Sequence, residues 1–336
     1  MAISDHIRHL RQKVGSDLLH IPSVTILTFD EQGRVLLVRD SGSGAWTTPG
    51  GSIEPGEYPA DAAIREMCEE TGAQVELTQL MGVYGGSDFI VTYGNGDRTS
   101  YLMSVFTAQI KGGDLRPDGA EVSELRYFSQ ADLAKLERTA WQQRVLGDAF
   151  SQQPQTHFQP PTWQPPTDGI RPGGMSEYTR QIRAKVGHDL MMQPTVGVIV
   201  LNEAGEVLLQ KRADNGRWAL PAGAIEPDES PTDAAVRETW EETGVLVEPL
   251  RLTGIYTGPD YFITFSDSGD QIVAYSVIFL CRAIGGEAKP DGLESADVAY
   301  FAPEVLAGDF LSPRWQLRWE HARNDHTSAY FNPPTQ

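Results

Sequence analysis

The chain of 336 residues has few cysteines and no long apolar run. Its two cysteines, Cys68 and Cys281, lie far apart and match no spacing typical of a metal or redox site. We interpret each as a single buried thiol in a reducing compartment, and we expect a cytoplasmic protein. No segment approaches the roughly 20 apolar residues that cross a bilayer, and the N-terminus lacks a signal-peptide pattern. The sequence therefore predicts neither export nor membrane association.

Basic residues are also scarce, with 27 Lys and Arg against 46 Asp and Glu and a formal net charge of −19. This charge argues against binding of nucleic-acid polymers or anionic membranes. It also means that a polyanionic substrate binds only where divalent cations or local Lys and Arg side chains reverse the sign of the field. Because 40% of the residues are hydrophobic, a wholly disordered chain is excluded.

The largest organisational signal is an internal repeat. LRQKVGSDLLHIPSV (10–24) matches IRAKVGHDLMMQPTV (182–196) at an offset of 172. The same offset relates 33–39 to 205–211, 44–57 to 216–229 and 82–89 to 254–261, and an offset of 173 relates 112–121 to 285–294. We predict two domains, 1–150 and 175–336, joined by a linker at 151–174 whose Pro and Gln content favours an extended, polyproline-type chain.

Each copy has patterns of both helices and strands. In the first copy we predict an amphipathic leading helix, a helix at 59–71, strands near 22–29, 34–39, 81–93, 100–110 and 124–128, and final helices near 130–136 and 139–149. Mixed strands with interspersed helices indicate an α/β sandwich with a partly antiparallel sheet.

An acidic motif occurs once in each copy, as GSIEPGEYPADAAIREMCEETGA (51–73) and GAIEPDESPTDAAVRETWEETGV (223–245). Proline at the first turn and glycine at the end of 59–71 predict a helix. On that helix Glu66, Glu69 and Glu70 fall within an arc of about 100°. Three like charges on one face repel, and hard divalent cations with oxygen ligands relieve that repulsion. The alternative interpretation is a solvated acidic face.

The motif resembles the Nudix box, and its fixed positions match in both copies. They are Gly51, Glu57, Arg65, Glu66, Glu69, Glu70 and Gly72, and Gly223, Glu229, Arg237, Glu238, Glu241, Glu242 and Gly244. The resemblance implies an α+β fold with two Nudix-type α/β/α sandwich domains and mixed β-sheets. It also implies a hydrolase (pyrophosphohydrolase) that cleaves diphosphate linkages of small nucleotide-like substrates, including (d)NTPs, with Mg²⁺, or alternatively Mn²⁺, as cofactor.

Residue roles follow from the resemblance. Metal ligands are expected at Glu66, Glu70, Glu238 and Glu242. Glu69 and Glu241 are expected to assist catalysis, and ion pairs Glu57–Arg65 and Glu229–Arg237 are expected to tie loop to helix. Family members also add an acid from a later loop, for which the repeated RPDGAE and KPDGLE offer Glu121 and Glu294, with Asp118 and Asp291 as rivals.

Five further residues are candidates for substrate binding, each with a structural alternative. Arg39, Lys211 and Arg212 end the second strand of each copy and could meet phosphates, or they are solvated strand-end charges. Trp46 and Trp218 precede the box glycine and could shape the substrate entrance, or they pack in the core.

Two departures weaken the motif of the second copy. Thr239 stands where the box prefers an apolar residue, and Asp228 replaces a loop glycine. Two alternatives to a doubly active enzyme remain at this stage: a nucleotide-sensing module without activity, and one active copy beside a scaffold copy. Because related single domains often dimerise, we also expect the two copies to pack as an internal pseudo-dimer.

Overall fold

The computed structural model describes residues 4–151, 153–169, 173–265, 268–306, 310–324 and 328–335. The helices of the first copy are α1 (Asp5–Val14), α2 (Pro59–Thr71), α3 (Gln130–Leu133) and α4 (Ala140–Ser151), and those of the second are α5 (Glu177–Val186), α6 (Pro231–Thr243) and α7 (Pro313–Arg323). Three 3₁₀ turns cover Ser87–Phe89, Pro259–Tyr261 and Pro303–Leu306.

The strands follow the same order in both copies. Those of the first are β1 (Leu19–Thr28), β2 (Val35–Asp40), β3 (Trp46–Thr47), β4 (Gly50–Ser52), β5 (Ala73–Tyr84), β6 (Ile90–Thr92), β7 (Arg98–Gly113), β8 (Val122–Phe128) and β9 (His157–Phe158). Those of the second are β10 (Met191–Leu201), β11 (Val207–Arg212), β12 (Trp218–Ala219), β13 (Ala222–Ala224), β14 (Val245–Tyr256), β15 (Phe262–Thr264), β16 (Gln271–Gly286) and β17 (Ser295–Phe301).

The main sheet of each copy is mixed. In the first copy its order is β4-β1-β7-β5-β9, with β1 parallel to β7 and β5 antiparallel to it, while β3, β2 and β8 form a second sheet. Strands β10, β16 and β14 repeat this arrangement. All ten residues of β1 are buried, as expected of a strand covered on both faces. The predicted mixed α/β architecture with two sheet-rich halves is confirmed.

Helix α2 begins and ends at the predicted residues. Pro59 occupies its first turn, and Gly72 ends it in the left-handed conformation with φ of 69°. Ala63 and Met67 on its apolar face are fully buried, which anchors the helix to the sheet. Cys68 of the same helix is exposed, so the prediction of a buried thiol is wrong there, whereas Cys281 is buried as expected.

The predicted strand bounds differ from the observed ones by a few residues, and the largest difference concerns the strand expected near 81–93. The strand expected near 81–93 is β5, which starts directly after the box at Ala73 and stops at Tyr84, followed by a 3₁₀ turn and β6. Gly86 takes a φ of 99°, which breaks the extended chain at this point. Within the described residues, no helix is both long and apolar enough to cross a membrane.

Part of the segment predicted as a linker pairs with the first copy. In β9, His157 and Phe158 lie parallel to Gly82 and Val83 of β5. The Thr156 hydroxyl donates to the Leu80 carbonyl at 3.0 Å and is buried. The chain after α4 is therefore anchored along a sheet edge before it continues to the second copy.

The two copies contact each other through pairs of interactions with exchanged roles. Lys13 of α1 binds Asp189 with an N–O distance of 2.5 Å, and Lys185, at the equivalent position of α5, binds Asp17. Between the central strands, Ser104 and Tyr275 share a buried hydrogen bond through their hydroxyl groups. The contact surface is thus built from equivalent elements of both copies, α1 with α5 and β7 with β16.

Candidate active site

The box loop and box helix are joined by an arginine–carboxylate pair in each copy. Arg65 donates from Nε and Nη2 to the two carboxylate oxygens of Glu57, at 2.8 and 3.0 Å. Arg237 and Glu229 repeat this fork at 2.7 and 2.8 Å. Both predicted ion pairs are confirmed. Hydrogen bonding to Glu57 raises the pKa of Arg65, so the guanidinium stays charged.

In the first copy the two candidate metal ligands of the box helix are buried. Glu66 accepts a hydrogen bond from Arg65 Nη1 at 2.8 Å, and Glu70 accepts one from the Gly50 amide at 3.1 Å. Burial raises the pKa of Glu66. Burial, together with the charges of Glu66 and Glu121, raises the pKa of Glu70 to about 8. The site therefore concentrates negative charge where water stabilises it poorly.

The second copy has the same arrangement with deeper burial. Glu238 accepts from Arg237 at 2.8 Å, and Glu242 accepts from the Ala222 amide at 2.9 Å. Burial raises the pKa of Glu238 to about 7, with Arg237 opposing the shift. It raises the pKa of Glu242 well above its usual range, with the charge of Glu238 acting in the same direction.

Each box glycine is required by close packing of a carboxylate. A Cβ atom on Gly51 would collide with the carboxylate of Glu66, and one on Gly223 would collide with that of Glu238. Because any side chain would displace the acid, the glycine keeps the carboxylate against the backbone of the preceding strand.

The middle glutamates differ between the copies. Both accept from the box arginine, Glu69 at 3.3 Å and Glu241 at 3.0 Å. The Glu69 side chain is 61% exposed and the Glu241 side chain only 13%. The first site is thus more open to solvent at this position than the second.

The later loop brings Glu121 and Glu294 into the electrostatic range of the box carboxylates. Burial is the main cause of the raised pKa values of Glu66, Glu70, Glu241 and Glu242; the charge of Glu121 adds to it for the first two and that of Glu294 for the last two. In the second copy Glu294 also accepts from the Gly174 amide at 2.9 Å.

The rival aspartates shape the loop turn. Asp118 Oδ1 accepts from the amides of Ala120, Glu121 and Val122 at 2.8 to 3.1 Å. Asp291 accepts from the amides of the equivalent residues 293–295. These carboxylates are committed to Asx-type turns, which present the neighbouring glutamates to the site.

The basic candidates lie at the end of β2 and β11. Arg39 donates from Nε to the Gly44 carbonyl at 3.1 Å, and its Nη1 lies 3.6 Å from Glu124 Oε2. Lys211 pairs with Trp218 in the β11–β12 ladder and precedes a bulge.

The tryptophan candidates pack against aromatic side chains. The ring of Trp46 lies edge-on to Phe128 at 4.9 Å between centroids, and that of Trp218 lies edge-on to Phe301 at 4.8 Å. The Arg126 guanidinium stacks over Trp46 at 5.0 Å. Both rings are partly exposed, so they combine core packing with a surface open to a ligand.

Sequence reasoning missed a polar pair beneath the second site. Gln210 forms a side-chain hydrogen bond with Glu242 and a second one with the Ser295 hydroxyl. The equivalent residues of the first copy are Val38 and Val122, both buried. The signal lay in the repeat alignment, where glutamine replaces valine within an otherwise apolar strand and a serine replaces its partner valine.

Arg212 is a basic candidate of the sequence, but its contrast in charge with the first copy was missed. Arg212 forms a two-point pair with Asp214, at 3.0 and 2.6 Å. The hydrogen bonds to Asp214 are the main cause of its raised pKa, and the charges of Glu242 and Glu294 add to it. Arg212 therefore interacts electrostatically with the carboxylates of the second site. The equivalent residue of the first copy is Asp40.

The NUDIX domain model matches the chain twice, at residues 19–150 and 191–323. The chain belongs to the NUDIX family. It is 38% identical over 113 residues to a MutT-like protein of Streptomyces ambofaciens, and 39% identical over 109 residues to a putative 8-oxo-dGTP diphosphatase of Bacillus subtilis. The matched regions cover 34% and 32% of this chain and 66% of each relative.

Other similar proteins each match less than half of this chain. An ADP-ribose pyrophosphatase of Methanocaldococcus jannaschii is 34% identical over 116 residues, which cover 33% of this chain and 64% of that protein. Among solved structures, a NUDIX hydrolase from Nitrosomonas europaea covers 40% of this chain and 90% of its own, with 26% identity and a TM-score of 0.33.

The two departures of the second NUDIX box are accommodated locally. Thr239 is buried, and its hydroxyl donates to the Ala235 carbonyl at 2.7 Å. Asp228 borders the cleft between the copies, close to Gly86. Helix α6 keeps the 13-residue length of α2 and the same left-handed glycine at its end.

Proposed function

We propose that this protein is a Mg²⁺-dependent hydrolase of diphosphate linkages in nucleotide-like substrates, with a catalytic site in each copy. The observation that carries the proposal is the pair of buried box carboxylates in each copy, Glu66 with Glu70 and Glu238 with Glu242, in the electrostatic range of an acid from the later loop. The names of the relatives support the same reaction class, since they include diphosphatases and pyrophosphatases.

The residues present fit a divalent cation. Buried carboxylates with raised pKa values lack an equivalent positive charge, because the single box arginine of each copy is shared among three or more acids. Among the described residues no group of three acids is arranged as a ligand cluster, and each buried box carboxylate accepts a hydrogen bond from the box arginine or from a backbone amide. Oxygen donors of this kind suit Mg²⁺ and Mn²⁺.

We assign the metal to Glu66 and Glu70 in the first copy and to Glu238 and Glu242 in the second. A bound divalent cation would lower the pKa of a coordinated water and neutralise charge on the leaving phosphate. Glu69, Glu121, Glu241 and Glu294 are assigned to proton transfer and water orientation, because they carry charge beside the ligands.

Substrate contacts are assigned to the ends of β2 and β11. Arg39 and Lys211 supply the positive charge that the net charge of −19 demands near a polyphosphate. Trp46 and Trp218 offer partly exposed rings for stacking on a base or sugar. None of these four side chains is among the carboxylates assigned to metal binding or proton transfer. We therefore assign to them the choice of the nucleotide-like group that the site accepts.

A second candidate function is one active copy beside a scaffold copy. It is favoured by the lower solvent exposure of the acids in the second copy. Glu241 is largely buried and Glu294 is held by the Gly174 amide. Under this alternative only the first site turns over substrate.

We further propose that the two NUDIX copies, 1–150 and 175–336, form an internal pseudo-dimer, with 151–174 connecting them. The exchanged contacts Lys13–Asp189 and Lys185–Asp17 support this arrangement. Small-angle scattering of the intact chain is expected to give a single compact envelope. Two well-separated lobes would contradict the pseudo-dimer.

The activity is tested with a panel of (d)NTPs, nucleoside diphosphate sugars and dinucleotides, each with Mg²⁺ or Mn²⁺. Phosphate release after coupling to a phosphatase reports cleavage. We expect turnover of at least one class, loss of turnover in excess EDTA and recovery when Mg²⁺ is restored. Full activity in EDTA would rule out the proposed mechanism.

A further inference from the structure

The chain carries a second repeated segment beyond the NUDIX domains. THFQPPT (156–162) matches AYFNPPT (329–335) at an offset of 173. The first lies in the segment expected to be a linker, and the second follows α7. We call them strap 1 (156–162) and strap 2 (329–335).

Each strap begins on a sheet edge of its own copy. Phe158 of strap 1 pairs with Val83 of β5. In strap 2, Tyr330 bridges Gly254 of β14 in the same parallel sense, with its amide 2.9 Å from the Thr253 carbonyl. Both straps therefore leave their own copies from equivalent positions and in the same direction.

Each strap then crosses to the opposite copy. The ring of Phe158 lies edge-on to Phe279 of β16 at 5.7 Å, and that of Phe331 lies edge-on to Phe106 of β7 at 5.1 Å. The straps meet where the Ala329 amide donates to the Thr156 hydroxyl at 2.9 Å. The crossing is thus reciprocal and fixed by aromatic contacts within the core.

Both straps end on the first turn of the opposite box helix. The Thr335 amide and hydroxyl donate to the two carboxylate oxygens of Asp61 in α2, at 2.8 and 3.0 Å. In strap 1 the Thr162 amide and hydroxyl donate to Asp233 in α6, and the Trp163 amide adds a bond of 2.6 Å to the same carboxylate. Asp61 and Asp233 are equivalent residues, so the same recognition occurs twice.

Asp61 and Asp233 lie in the N-terminal turn of their box helices, at the opposite end from the glycine cap. In α6 this turn is also capped by Ser230, whose hydroxyl accepts from the Asp233 amide at 3.1 Å. In α2 the N-cap position holds Tyr58, which makes no side-chain cap bond, so Thr335 takes a larger share in fixing the turn. A short helix moves largely as a rigid body, so a shift at its first turn displaces the carboxylates that follow about one and a half to two and a half turns later.

We propose that Thr335 and Thr162 are positioning residues acting in trans, each fixing the box helix of the opposite copy and thereby the carboxylates that hold the metal. Each catalytic site is then completed by the tail of the other copy. The kinetic test of this proposal rests on the proposed function, whereas the hydrogen-exchange test does not.

The activity test measures each site separately. Glu242→Gln leaves the first site as the working one, and Glu70→Gln leaves the second. In the Glu242→Gln background, Thr335→Pro removes both hydrogen bonds to Asp61. We expect it to raise the Mg²⁺ concentration for half-maximal activity at least about threefold and to lower kcat/KM about tenfold, because small misplacements of reacting groups are costly. In the Glu70→Gln background the same change is expected to alter kcat/KM less than about twofold.

The controls separate positioning from general destabilisation. Thr335→Ser keeps both donors and is expected to restore the Mg²⁺ dependence of the first site. Thr162→Pro is expected to affect the second site instead, and to a smaller extent because Ser230 and the Trp163 amide remain. Thr92→Val, at an exposed threonine on β6, is expected to change neither site. Equal loss at both sites with Thr335→Pro, or loss at the second site alone, would overturn the proposal.

Hydrogen exchange tests the straps whether or not the protein cleaves a diphosphate. With Thr335→Pro we expect faster exchange at the amides of residues 60–65 in α2, with α6 unchanged. Absence of faster exchange in α2 refutes the trans contact in solution. If the exchange result holds while every substrate is left intact, the proposed function fails and the straps stand as structural devices.

Discussion

Asp40 and Arg212 occupy the same position in the two copies and carry opposite charges. Arg212 lies in the field of Glu242 and Glu294, whereas Asp40 adds a negative charge at the corresponding edge of the first site. The two proposed sites therefore differ in charge at this edge, although their box carboxylates are the same.

The first prediction concerns substrate preference. In the Glu70→Gln background, Arg212→Asp is expected to lower kcat/KM of the second site roughly tenfold for triphosphates and less for nucleoside diphosphate sugars, because reversal of a nearby charge penalises the more anionic ligand more. Steady-state kinetics at two ionic strengths measures this effect. Arg282→Asp, at a charged residue exposed on β16, is the control and should leave the preference unchanged. An equal loss for both substrate classes would show that Arg212 does not discriminate by charge.

The second prediction concerns Glu70 and Glu242. Glu70→Gln and Glu242→Gln each remove a ligand charge with little change in volume. Each is therefore expected to lower kcat/KM at least about 100-fold for a different part of the substrate panel. The double variant should lose nearly all activity. If Glu242→Gln left kcat/KM for every substrate unchanged, the second copy would be a scaffold.

A third prediction concerns stability without metal. Burial raises the pKa of Glu242, so its ionisation costs folding free energy as pH rises above the value of an unfolded glutamate. In EDTA at pH 8, Glu242→Gln is therefore expected to raise Tm by roughly 2–4 °C. In saturating Mg²⁺ the wild type is expected to have the higher Tm, because only its carboxylate is stabilised by the bound cation. Calorimetry with and without Mg²⁺ makes the comparison; a lower Tm in EDTA would contradict the assignment of an uncompensated buried acid.

The fourth prediction concerns His20, which is buried against the second copy. Its amide donates to the Tyr178 hydroxyl at 2.8 Å, and burial lowers its pKa to about 3, with a hydrogen bond to the Ile225 backbone opposing the shift. The unfolded chain binds this proton near pH 6.5, so stability is lost as pH falls from about 6.5 towards 3. Between pH 7 and 5 the loss from this residue is about 2 kcal/mol.

His20→Met introduces the residue that the second copy carries at this position, Met192. Between pH 7 and 5 the free energy of unfolding of the variant is expected to fall by about 2 kcal/mol less than that of the wild type. Urea unfolding at both pH values measures the difference. His157→Gln removes a histidine elsewhere and serves as the control. Identical pH dependence in His20→Met and the wild type would mean that His20 titrates normally in the folded protein.

The fifth prediction compares the two box arginines. Arg237 binds Glu229, Glu238, Glu241 and the Ala224 carbonyl and is less exposed than Arg65. Lysine cannot reproduce the fork, so Arg237→Lys is expected to cost about 2–4 kcal/mol of unfolding free energy.

Arg65→Lys should cost less, because its side chain and that of Glu69 are more hydrated. Urea denaturation compares the two variants, with Arg34→Lys at an exposed ion pair as the control. A larger loss for Arg65→Lys would contradict the difference in burial.

Local signals explain what the sequence predicted well. Helix α2 was predicted to the residue because Pro59, the apolar stripe and Gly72 all act within one segment. The Glu57–Arg65 pair followed from the family resemblance and has the expected geometry.

Interactions between distant residues explain what the sequence did not predict. The composition of 151–174 indicated an extended, polyproline-type linker, but the partners of strap 1 lie in β5, β16 and α6, which no local pattern reveals. Gln210 and Ser295 were missed because each is unremarkable alone and only their contact places them beneath Glu242. The exposure of Cys68 likewise depends on what packs over α2, whereas the equivalent Trp240 is covered by Trp163.

The crossed straps also set an order of assembly during translation. Thr162 is made 71 residues before Asp233, so strap 1 is available when α6 leaves the ribosome. Thr335 follows Asp61 by 274 residues. At about 5–20 residues per second, α2 spends roughly 15–55 s without the threonine that holds it. The first site to be synthesised is therefore the last to be completed.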